Sequence, residues 1–154
     1  MTTLLLHTAA LLSTPLPAGP CDLLTQAEAE AIIAQPIAAP APGGSGECHY
    51  ATRDGMADLI VYLMPLEFRS KEEFHAFILE DTEKMNARMK KSMEKMGATV
   101  KETAVEPVPG IGAPAYYVDP SLLVLTKTGR VLSVTADGRA QAVAAVGKAL
   151  PRVK

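Results

Sequence analysis

The 154-residue chain has no tryptophan, only four tyrosines and only three phenylalanines. Any surface that stacks a ligand must therefore draw on Tyr50, Tyr62, Tyr116, Tyr117 or a phenylalanine. Long apolar runs are also missing. None approaches the roughly 20 residues a helix needs to cross a bilayer, so no transmembrane segment is expected. Neither sign of charge dominates: 15 basic and 17 acidic residues leave a formal charge of −2. With the signs interspersed, there is no basic stripe to bind nucleic acid. Cysteine is reduced to one pair, Cys21 and Cys48. No His-x-x-x-His pair occurs, and the Glu-x-x-His spacing occurs once, at Glu72 and His75, short of the paired motifs of a di-iron site, so neither a zinc nor a di-iron site is expected. No cofactor is expected.

What the chain does have is one long amphipathic stretch, Ser70 to Met96. At 100° per residue, Phe74, Ile78, Met85, Met89 and Met96 fall in one stripe, with Met93 at its edge. Glu72, Glu80, Glu83, Lys90, Lys91, Glu94 and Lys95 fall on the other side. Ser70 followed by Glu73 has the spacing of a capping box, and Gly97 supplies the stop. Such a helix is about 40 Å long. A compact domain of about 130 residues is only about 36 Å across. Either the helix bends to keep its stripe buried or its methionine end overhangs the body.

The remaining elements are shorter. Thr25 and Glu28 form a second capping box, which predicts a helix over 25–34 that contacts the core through Leu24, Ile32 and Ile33 and ends at Pro36. Residues 36–46 hold Pro36, Pro40, Pro42, Gly43, Gly44 and Gly46 and read as a flexible loop. Two strands, 47–53 and 58–64, meet at Asp54-Gly55. The second is apolar on both faces, which places it centrally, with Pro65 as its stop. Residues 99–106 are β-prone but charged, as at a sheet edge. After a turn rich in proline and glycine come strands at 115–119, 122–127 and 130–136, the last two joined at Thr128-Gly129. Ala140, Val143, Val146, Gly147 and Leu150 then suggest a small-residue helix. The order α-ββ-α-ββββ-α predicts an α+β fold with a mainly antiparallel sheet, helices on one face and one long amphipathic helix over about 70–96.

Residues 1–20 read as a secretory signal segment and 21–154 as a single domain. Leu4-Leu5-Leu6 and Ala9 to Leu12 are apolar, and Pro15, Pro17, Ala18 and Gly19 follow. No lysine or arginine precedes this run, and His7 interrupts it. Pro20 before Cys21 argues against a lipoprotein, whose signal calls for a small residue there.

Cys21-Asp-Leu-Leu-Thr25 with Glu28-Ala29, Cys48-His-Tyr50, Pro109-Gly-Ile-Gly112 with Ala115-Tyr116, and Leu123-Val-Leu125 make a pattern. It resembles small exported bacterial domains of unknown function, secreted proteins and lipoproteins among them, over about residues 21–150. The resemblance implies an extracytoplasmic domain, periplasmic or secreted, with a cysteine pair. It brings no activity and no catalytic residues. The long methionine-bearing helix departs from the pattern.

Few residues offer chemistry. Cys48-His49 could be a thiolate beside a base. However, neighbours on a strand point to opposite faces, and in an exported protein a disulfide between Cys21 and Cys48 is the simpler use. Gly110-Ile-Gly-Ala-Pro-Ala115 partly matches a dinucleotide fingerprint, but prolines precede it and a strand follows, so it reads as a turn. Ser45 lies in a glycine loop without an elbow between strand and helix. Glu72, Glu73, His75, Glu80 and Asp81 read as solvated helix charges. Met85, Met89, Met93 and Met96 remain open to three readings. They could be core, a contact surface or a Cu(I) site, since thioethers are soft ligands. The first expectation is a non-enzymatic exported module binding a small ligand or another protein, with Met89, Met93 and Met96 as the contact. A homodimer through the long helix is one arrangement this allows. The alternative is a periplasmic Cu(I)-binding protein using all four methionines.

Overall fold

The structure, a computed structural model, describes residues 19–56 and 58–154. The expected signal segment lies, but for its last two residues, outside the described residues. The chain runs α1 (Gln26–Ile33), β1 (Ala41–Pro42), β2 (Glu47–Ala51), β3 (Asp58–Glu67), α2 (Lys71–Lys95), β4 (Glu106–Pro107), β5 (Ala115–Val118), β6 (Ser121–Leu125), β7 (Arg130–Thr135) and α3 (Arg139–Ala149). The fold is α+β. Among the described residues, seven strands form one sheet in the order β1-β2-β3-β7-β6-β5-β4, with every pairing antiparallel. Both edges are two-residue strands that contain a proline, Pro42 and Pro107. Proline removes an edge donor, which discourages another strand from adding there.

Alternation along the strands makes two cores. Leu59, Val61, Leu122, Val124, Leu132 and Val134 face α1 and α3. Tyr116, Leu125 and Val131 face α2, where Phe74 and Ile78 meet them. The two short helices thus share one face and the long helix lies over the other, where all three were expected on one face; the alternating apolar residues of the strands give both faces a core. β3 sits between β2 and β7, as its apolar sequence suggests.

The first core is tied at both chain ends. Cys21, just before α1, is disulfide-bonded to Cys48 of β2, with Cα atoms 5.0 Å apart. Beside it the fully buried Tyr50 donates its hydroxyl to the Leu24 carbonyl at 2.8 Å. Burial pushes its pKa up to about 12. Thr25 caps α1, and Glu28 returns a bond to the Thr25 amide, completing the expected box. Arg152, at the far end of the chain, grips Glu28 with two bonds of 2.6 and 2.8 Å and the Leu23 carbonyl with a third.

That grip has a pH signature. Arg152, with help from the Thr25 amide, holds the Glu28 carboxyl at about 2, below its ordinary 4.5. A carboxylate whose pKa is depressed by folding stabilises the fold above its unfolded pKa. That stability is lost as the pH falls through the folded value. Glu28→Gln should therefore lower the melting temperature above pH 4.5, and the gap to wild type should close as the pH falls toward 2. Thermal melts across that range check this.

Several boundaries differ from the expectations. β3 continues past Pro65 to Glu67, where its register with β7 shifts. β2 pairs only with residues 58–62, so beyond it a proline can sit at an irregularity on a free side. The loop 36–46 is anchored along β2: Ile37 is buried and bridges Thr52, and Ala41–Pro42 pairs with Cys48 and His49. Of residues 99–106, only Glu106 joins the sheet. α3 buries Ala142, Ala145, Val146 and Ala149, not Ala140 or Gly147. Alanines all around this helix left its phase ambiguous. At the β6–β7 turn Gly129 has φ 83°, and a Cβ there would lie 2.7 Å from the Phe68 carbonyl oxygen. Only glycine fits without displacing the entry to α2.

Candidate functional site

α2 begins as expected, with the Glu73 amide bonded to Ser70 Oγ. The Glu73 carboxylate reaches one residue further back, to the Arg69 amide. The helix closes on Gly97, with the amides of Gly97 and Ala98 returning to Glu94 and Met93. Its first half is anchored by rings. Phe74 packs 5.5 Å from Phe68 and 5.7 Å from Tyr116, and Phe77 packs 5.1 Å from Phe68. His75 stacks on Tyr116 at 4.7 Å.

Burial ends part-way along. The buried residues of α2 are Phe74, Ile78 and Thr82. Beyond Thr82 the stripe continues through Met85 and Met96, 36% and 67% exposed, and through Met89 and Met93, which are half-buried. Residues 98–105 return beside this part of the helix without regular structure. Asn86 fastens them, donating to the Thr103 carbonyl and accepting from its amide at 2.9 and 3.0 Å. The second half of α2 and its returning segment thus form an arm whose methionines have no buried core beneath them.

The two flanks of α2 differ. On one, His75 meets Tyr116 and Asn86 meets the returning segment. On the other, Phe77, Asp81 and Met85 face a groove of about 250 Å³. Its floor includes Tyr62, Met64, Leu123 and Ser133, and Asp119 and Pro120 close one end. Tyr62 is the one tyrosine of four left half-exposed; Tyr50, Tyr116 and Tyr117 are buried. β2 and β3 continue this sheet face with Glu47, His49 and Ile60.

The other candidates separate. Both cysteines are spent in the disulfide. His49 points away from Cys48, with Nδ1 3.0 Å from Asp58 and Nε2 3.6 Å from Glu47. Asp58, then Glu47, raise its pKa and favour the charged ring. Gly110 and Gly112, at φ 84° and 79°, lie in a turn that leads into β5, not at a helix start. Ser45 lies exposed between glycines, its amide bonded to Glu47. Glu72, Glu73, Glu80 and Asp81 are exposed. Among the described residues no group of three His, Cys, Asp or Glu is placed to hold a metal ion. No helix among them is long and apolar enough to cross a membrane.

No protein-family model, curated protein or solved structure matches the chain. The site must be read from its own chemistry. The groove itself was not legible beforehand, because β3, β6, β7, the β5–β6 turn and α2 each contribute to it. The arm was partly legible, since a helix longer than the body, with four methionines in its far half, could be seen in the sequence.

Proposed function

We propose that the protein is a non-enzymatic, exported interaction module and that the methionine end of α2 is its contact surface. The observation that carries the reading is the end of burial at Thr82 while the apolar stripe runs on to Met96. Methionine side chains are unbranched and re-pack against different shapes, which suits a surface that must meet another chain. At the arm a protein partner fits better than a small ligand, because the groove beside it, about 250 Å³, is smaller than the roughly 300 Å³ at which ligand pockets begin. Export is supported by the Cys21–Cys48 disulfide, a bond that persists in oxidising compartments.

The test is the variant in which Met89, Met93 and Met96 are all replaced by Gln. Association with the partner chain, followed by sedimentation or crosslinking, should be lost while the variant stays folded. A folded variant that associates like wild type would remove the contact surface.

A further inference from the structure

We infer that the arm's partner is a second copy of this chain, the two copies lying antiparallel through α2 so that each arm fills the other's groove. This rests on the contact-surface reading above and names its occupant.

The charge of α2 reverses along its length. Residues 71–83 of α2 carry Lys71 against Glu72, Glu73, Glu80, Asp81 and Glu83, one base to five acids, a balance of −4. Residues 84–95 carry Lys84, Arg88, Lys90, Lys91 and Lys95 against Glu94, five bases to one acid, a balance of +4. The helix dipole accounts for acids in the first turn and bases in the last, and its influence fades beyond them. Glu80, Asp81, Glu83, Lys84, Arg88, Lys90 and Lys91 lie outside those turns. Among the described residues, the ion pair that joins these two sets is the exposed Glu80–Lys84 pair. An antiparallel pair of such helices sets each acidic half beside a basic one, as a twofold interface requires of a self-complementary patch.

The reversal also falls on the flank that faces the groove. Asp81 lines the groove. Residues seven apart on a helix share a flank, so Arg88 and Lys95 continue the row of Asp81, and Lys84 and Lys91 that of Phe77. The groove-side flank therefore changes sign where the arm begins. Turning a second copy by half a turn about an axis near Met85, perpendicular to the sheet, brings like flanks together. Arg88 of each copy then lies beside Asp81 of the other. The methionine stripes point down onto the other copy's sheet face, at Tyr62, Ile60 and their neighbours. The arm thus supplies the apolar cover that the facing sheet lacks. Asn86 and the returning segment stay on the outer flank, clear of the contact.

The experiment is sedimentation velocity on the disulfide-bonded chain over a range of concentration and salt, with Arg88→Glu and Asp81→Arg. Both residues are exposed, and thermal melts confirm that each variant folds. Wild type should self-associate, more weakly at high salt. Each variant alone should dissociate at least tenfold more readily. An equimolar mixture of the two should recover the dimer, because every Arg then meets an acid. Arg88→Lys should behave as wild type. A wild type that is monomeric at every concentration overturns the pairing, as does a dimer indifferent to both reversals or a mixture that stays apart. The contact-surface reading fails separately, on a collapse of the methionine variant's fold.

Discussion

Replacing Cys21 and Cys48 together by Ala should cost about 3 to 4 kcal/mol, the chain-entropy value for cross-linking residues 27 apart. The expected fall in melting temperature is on the order of 10 °C. The bond links the start of the folded chain to β2 and encloses α1 and the proline-rich loop. Among the described residues, that loop is joined to β2 by the Ile37–Thr52 bridge, the short β1 and the Ser45 amide on Glu47. The unfolded chain gains most from the cut. Because Cys48 is fully buried, Ala is preferred to Ser, which would leave a hydroxyl in an apolar core. Melting with and without reductant gives the same comparison without mutation. Equal melting temperatures in the two states would show that the bond does not hold this region.

The second large effect is expected at Phe74. This residue is fully buried and is the ring that joins α2 to Phe68 and Tyr116. Phe74→Ala should destabilise by about 3 to 5 kcal/mol, through lost transfer energy and the cavity left behind. The second core cannot easily collapse into that space. Its buried residues are few, Phe74, Ile78, Tyr116, Leu125 and Val131, and the sheet beneath them is hydrogen-bonded on both sides. Denaturant melts measure the loss directly. A loss below about 1 kcal/mol would mean that α2 is not anchored by its first half.

The two predictions mark what could be read in advance. Local chemistry marked the ends of α1 and α2, because Thr25, Glu28, Ser70 and Gly97 act within a few residues of themselves. The hairpin turns at Gly55 and Gly129 were legible for the same reason. The cysteine pair was legible because only one pairing was possible. Features that depend on distant partners were hidden. β1 exists because Pro42 meets Cys48, and residues 98–105 follow the helix because Thr103 meets Asn86. The Arg152–Glu28 grip spans nearly the whole folded chain. Nothing local in any of these stretches announces its partner. The charge reversal along α2 was visible in the sequence, but it gained meaning only when Asp81 was found lining a groove.

The central claim is that the methionine end of α2 is surface held for another chain and not core. The melting temperature of the Met89→Gln, Met93→Gln, Met96→Gln variant, taken at a concentration where the protein is monomeric, tests it most directly. Buried methionines replaced by an amide would cost about 2 kcal/mol or more each, enough together to remove most of a small domain's stability. Side chains lying outside a core, as the exposed Met96 and the half-buried Met89 and Met93 do, cost about 0.5 kcal/mol or less each. The expected result is a melting temperature within a few degrees of wild type, and a collapse of the fold would contradict the claim.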